Sequence, residues 1–162
     1  MGSLPSRFSK DGEYLSEFGK AGSGPGEFND VHDVFLDREG GRIYLSDKDN
    51  HRVQVFDENG RFLDLWPNII GPSIVRITAD RKYIRVMGMF TSKFLKFDLD
   101  VRFQTSWGTH GFAPGGITGG IHDLSTDSEG NLYIADHSNT VQKLRPRKDG
   151  NPEQLLGHLL PY

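Results

Sequence analysis

Cysteine is absent from the 162 residues, which excludes disulfides and thiolate metal sites. Nowhere do about 18 apolar residues run together, the length a membrane-crossing helix requires. The opening "MGSLPSRF" lacks the apolar core of a signal peptide. Residues 1–7 are expected to be a tag or disordered start. Basic runs are scarce as well: "KLRPRK" (Lys143–Lys148) is short and broken by proline, and the formal net charge is −3. Neither nucleic acid nor a membrane is therefore an expected partner. No long window shows a 3.6-residue period, so helix is not expected. A serine-hydrolase elbow G-x-S-x-G does not occur, and "GKAGSGPGEF" lacks the Lys-Ser/Thr ending of a phosphate-binding loop.

Glycine, by contrast, is plentiful, with 20 residues, against the roughly 7% of an average protein. That abundance implies many tight turns and many short strands. Three segments share an aromatic, a turn and a second apolar run: Phe8–Gly19, Phe56–Trp66 and Phe97–Gly108. Asp11-Gly12 and Asn59-Gly60 read as two-residue hairpin turns, and Asp100-Val101 as a weaker copy. Paired alternating runs accompany them, "RIYLSD" with "RVQVFD" and "NLYIAD" with "VQKL". Apolar residues at every second place are the mark of half-buried strands.

Together these give a unit of four antiparallel strands recurring every roughly 44 residues, a propeller-blade length. The sequence predicts an all-β chain with blades at 31–66, 73–107 and 121–156, preceded by an outer hairpin at 8–19 and followed by a tail at 159–162. The partial propeller spans 8–158, and the fourth strand of its last blade falls on "EQLLGHLL".

The wording of Gly22–Trp66 resembles NHL-repeat propellers: a P-G-x-F lead-in, a D-x-x-G turn, a Y-φ-x-D strand end and a D-x-x-N-x-R-φ-Q-x-F strand. "NLYIADHSNTVQKL" is similar. The resemblance implies about six blades, whereas about three are legible here. Because blades bury their faces against neighbours, a part-ring leaves apolar faces wet. Completion of the ring by a second half-propeller, by a second copy of the chain or by missing sequence is thus expected.

"VHDVFLD" and "IHDLSTD" place His32 and His122 at matching points, 122 − 32 = 90 residues apart, and the intervening "GPSIVRITAD" has no histidine. In a six-bladed ring alternate blades stand about 120° apart, so histidines on them converge on the axis. Three neutral imidazoles there hold Zn2+ with an open fourth position. The pattern resembles the peptidyl-α-hydroxyglycine amidating lyases (peptidylamidoglycolate lyases), a branch of NHL-like propellers. That resemblance implies zinc ligation by His32 and His122 and a calcium contact from Asp123. It also implies a substrate-side position for Lys48, where relatives often carry Arg, and a secreted or periplasmic setting. Cleavage of a hydroxyglycine peptide to an amide and glyoxylate would be the activity, but the catalytic residues of that branch fall outside this chain.

The competing expectation is structural. Both His-Asp pairs then satisfy backbone groups at the blade mouth, and the propeller is a non-catalytic scaffold for a protein or peptide. His51, His110, His137 and His158 are expected at the surface, Asp47 and Asp136 as turn caps, and Phe56, Phe97, Trp66 and Trp107 in the core.

Overall fold

In the computed structural model, residues 4–113, 115–117, 120–136 and 141–145 are described. His137, His158, the fourth strand expected at 153–160 and the tail at 159–162 lie outside them. The chain is all-β. It divides into two compact units, residues 1–75 and 76–162.

The first unit opens with β1 (Ser6–Phe8) and β2 (Tyr14–Glu17), an antiparallel pair. Two-residue strands β3 (Lys20–Ala21) and β4 (Glu27–Phe28) follow. The first complete blade comprises β5 (Val31–Asp37), β6 (Arg42–Asp47), β7 (Arg52–Asp57) and β8 (Phe62–Trp66), hydrogen-bonded in that order. The second contains β9 (Pro72–Ile77), β10 (Tyr83–Gly88), β11 (Lys93–Asp98) and β12 (Phe103–Trp107). Of the third, β13 (Ile121–Thr126), β14 (Leu132–Asp136) and β15 (Val141–Leu144) are described.

The turns differ from the sequence expectation. Asp57 N–H donates to Arg61 O, and Gly60 N–H donates to Asp57 O. The loop therefore holds three residues and ends on a bulge, with only Gly60 left-handed at φ 86. Asp98–Arg102 and Asp127–Asn131 repeat the pattern, with Val101 and Gly130 at the left-handed place (φ 63 and 80). Each loop is set by its leading aspartate: Asp57, Asp98 and Asp127 each accept backbone N–H groups two and four residues on. Asp127 also accepts from Asn131 Nδ2 and Tyr133 Oη, which hold its carboxyl at about 2.

The first unit packs around Phe28, Leu45 and Phe56, with Phe18, Val31, Ile43 and Phe62 against them. Gly19 is required here: at φ +86 an added Cβ would stand 2.4 Å from the Phe28 ring. In the second unit Phe94 stacks on Trp107 at 4.1 Å between centroids, and Ile84, Val86 and Phe97 are buried as well. Trp66 and Phe56 are likewise buried, as expected.

Asp47 is not a simple turn cap. It is 0% exposed, the hub of a polar knot. Its Oδ2 accepts from Arg52 Nε (2.7 Å), Asn50 Nδ2 (2.9 Å) and Gln54 Nε2 (3.1 Å), and its Oδ1 from the Asn29 N–H (3.0 Å). Arg52 goes on to Ser23, Gly24 and Glu27 carbonyls, and Asn50 to Gly22 O. Gln54 bonds Glu27 O and accepts from Gly26 N–H. The D-x-x-N-x-R-φ-Q wording thus supplies partners to a glycine-rich segment that has few backbone partners of its own. Removing one member of a buried ion pair strands the other. Asp47→Ala is expected to lower stability by about 3–5 kcal/mol in urea unfolding.

Candidate functional site

The residues singled out by the sequence sit at the leading ends of β5 and β13 and in the β6–β7 turn. β5 begins with a register irregularity between Val31 and Asp33, opposite Asp47 and Ser46 of β6. The irregularity sits at His32, which is half-buried. The Nδ1 of His32 lies 3.1 Å from Ser73 O. A carbonyl can only accept, so Nδ1 carries the hydrogen, and in the neutral ring Nε2 is left with its lone pair. Asp33 Oδ2 accepts the Val75 N–H at 2.9 Å. Both members of the first His-Asp pair are therefore tied to the backbone of β9.

The second pair differs. β13 has the same register irregularity, between Ile121 and Asp123. His122 is exposed. Asp123 pairs with Arg76 at 3.0 Å, and its Oδ1 also accepts the Leu124 N–H. The two His-Asp pairs thus engage β9 in different ways. Asp33 accepts a backbone N–H, whereas Asp123 accepts a guanidinium.

Lys48 reaches Asp30 at 2.5 Å and lies 3.9 Å from Asp49, and its own N–H donates to Asp30 O. His51 occupies a left-handed turn at φ 54, and its Nδ1 accepts the Gly71 N–H. It is exposed as expected, yet it also fastens the segment after β8. His110 is exposed too, with Nδ1 3.3 Å from Ser92 Oγ.

His32 lies in the first unit and His122 in the second. Among the described residues no group of three or more His, Asp or Glu side chains gathers where a metal ion could be held. The sequence identified the His-Asp positions but not their partners, because Ser73 is 41 residues from His32 and Val75 is 42 from Asp33.

Beside the head of β5 lies a cavity of about 550 Å³, bounded by Phe28, Asn29, Asp30, Val31 and Asn50 together with the Ala21–Ser23 stretch. Farther along β5, Val34 and Leu36 are 62% and 43% exposed. They stand opposite Leu45 and Ile43, on the sheet face that Phe28 and Phe18 cover only in part.

These features define the class: repeated four-stranded antiparallel blades, consistent with a partial β-propeller. Residues 8–64 match a family model described as a 6-bladed beta-propeller. NHL repeat-containing protein 3 of Homo sapiens is 41% identical over 91 residues, which cover 54% of this chain and 26% of that protein. Protein lin-41 of Caenorhabditis elegans is 50% identical over 46 residues, 28% of this chain and 4% of that protein. Among solved structures, a Bacteroides fragilis protein aligns with a TM-score of 0.61 at 16% identity, over 85% of this chain and 43% of that one. A catalytically inactive virginiamycin B lyase from Staphylococcus aureus aligns at 0.59 and 10% identity, over 89% and 49%. At such identities the structural likeness concerns the fold alone. The chain spans about a quarter of the length of the NHL relative it matches. The matches are thus to NHL-repeat proteins and to a six-bladed propeller family, each over part of the chain.

Losing the Asp33 carboxylate leaves the Val75 N–H without that acceptor. Asp33→Ala is expected to cost about 1–3 kcal/mol in denaturant unfolding and Asp33→Asn less, because an amide oxygen still accepts.

Proposed function

We propose that this chain is a binding segment of an NHL-type propeller, non-catalytic by itself, which works by docking its open blade face on a partner. The observation that carries this reading is the exposure of Val34 and Leu36 on a sheet face whose outer part is core. In a propeller such inner-strand residues are covered by the preceding blade. A second copy of the chain, a second half-propeller or further propeller sequence of the same protein would supply that cover, reaching about the six blades of the matching family description. An apolar inner strand left wet favours that association. Sedimentation is expected to show a species heavier than one chain, shifting toward the single-chain mass in Val34→Asp/Leu36→Asp. A strictly monomeric protein with one cooperative thermal transition contradicts the reading.

The free Nε2 of His32 favours a second reading, zinc ligation of the amidating-lyase kind. Metal-bound imidazoles commonly donate their other N–H to a carbonyl, as Nδ1 does to Ser73 O. His32 fits a ligand role in this respect, and His122 would join it only within a completed ring. Zinc bound there would supply a Lewis acid, and the chain's own part would be to orient the His32 ring through Ser73. The Arg76 pair leaves Asp123 an ion-pair partner before any calcium role, and Asp30 does the same for Lys48 before any substrate. Zinc content is expected to fall in His32→Ala/His122→Ala. Equal zinc in wild type and variant removes this reading.

A further inference from the structure

The blades can be compared row by row, since their registers are known. In the first blade Phe35 stands opposite Tyr44, and Tyr44 opposite Val55. In the third, Ser125 stands opposite Tyr133, and Tyr133 opposite Lys143. Three residues before the end of the second strand, Tyr44 and Tyr133 correspond to Arg85 of the second blade. Directly across from Arg85 is Lys96, which corresponds to Val55. Two strands earlier in the chain direction the row continues. Thr78 N–H donates to Tyr83 O across the β9–β10 turn, and strand alternation puts Arg76 on the side of Tyr83 and Arg85. A row that is aromatic and aliphatic in one blade is cationic in the next.

Nothing in blade architecture asks for this. Like charges directly opposite each other across strands are destabilising, and the first blade fills the same row with Tyr44 and Val55, both 3% exposed. Arg85 and Lys96 are half-buried. Burial lowers the pKa of both, and Arg85 adds to the lowering at Lys96.

Burial outweighs the favourable charge of Asp80, which acts on both. Among the described residues Arg85 reaches only Thr126 Oγ1, at 3.4 Å, and Lys96 lies over the Tyr83 ring at 3.4 Å. The neighbouring carboxylates are engaged elsewhere. Asp80 accepts from Thr78 Oγ1 and the Lys82 N–H, and Asp98 from its own turn and Gln104. Asp123 takes Arg76. The third blade differs: Lys143 at the matching place has its pKa raised, by Tyr133 first and then by Asp127, which stands 3.6 Å away.

We propose that Arg85 and Lys96 form a receptor for an oxyanion, the phosphate or carboxylate group of a ligand, on this face of the second blade. The guanidinium fork suits two-point contact with such a group, and the ammonium adds a point charge. The row swap from the first blade supplies the variant. Thermal unfolding is followed in inorganic phosphate, in acetate and in chloride at equal ionic strength. Wild type is expected to gain about 3 °C, saturably, in one oxyanion over chloride. The oxyanion that acts distinguishes a phosphate from a carboxylate ligand. Arg85→Tyr/Lys96→Val is expected to lose that gain while unfolding no earlier in chloride. Should the double variant not fold, Lys96→Met alone is expected to reduce the gain. No gain in either oxyanion, or an equal gain in the variants, overturns the proposal.

Discussion

A single buried carboxylate organises the first blade. Asp47 has no access to water, so its charge survives there only with donors on both oxygens. Arg52, Asn50, Gln54 and the Asn29 amide supply them. Those same side chains then reach the carbonyls of residues 22–27, a stretch without regular structure except at its last residue. The consequence is geometric. Fixing this segment sets Phe28 over Leu45 and Phe56, and it aims the chain into β5, where His32 and Asp33 reside. The third blade keeps part of the device: Gln142 binds Gly115 N–H and Gly116 O as Gln54 binds Gly26 and Glu27. The second blade has Leu95 at that position and gives up the glutamine clamp.

The leading strands carry the same economy of polar groups. His32 and Asp33 fasten β5 to the backbone of β9, and Asp123 reaches back to Arg76 of that strand. Polar groups at the head of a blade thus serve first as fasteners.

Much of the fold was legible from sequence. Alternation located the strands, and the Tyr44 and Tyr133 strand ends located the blades. The D-x-x-G signal located the turns but not their type, because the same letters serve a two-residue turn and a three-residue loop with a bulge. What separates them is the side-chain bond from Asp57, Asp98 or Asp127 to the returning strand. Asp47 was read as a cap because its decisive partners, Asn29 and the carbonyls beyond Arg52, are distant in the chain. The fasteners of His32 and Asp33 were hidden for the same reason. The cationic row was invisible until register was known, since Arg76, Arg85 and Lys96 share a face through pairing and not through spacing.

The central claim is that the Asp47 knot, and not local propensity, holds the lead-in segment on the blade. Amide hydrogen exchange at Gly26 and Asn29 in Arg52→Met tests it most directly, with the β1–β2 hairpin as internal reference. The account predicts exchange at both amides faster by at least about tenfold, with the hairpin unchanged. Undiminished protection at Gly26 and Asn29 would contradict it.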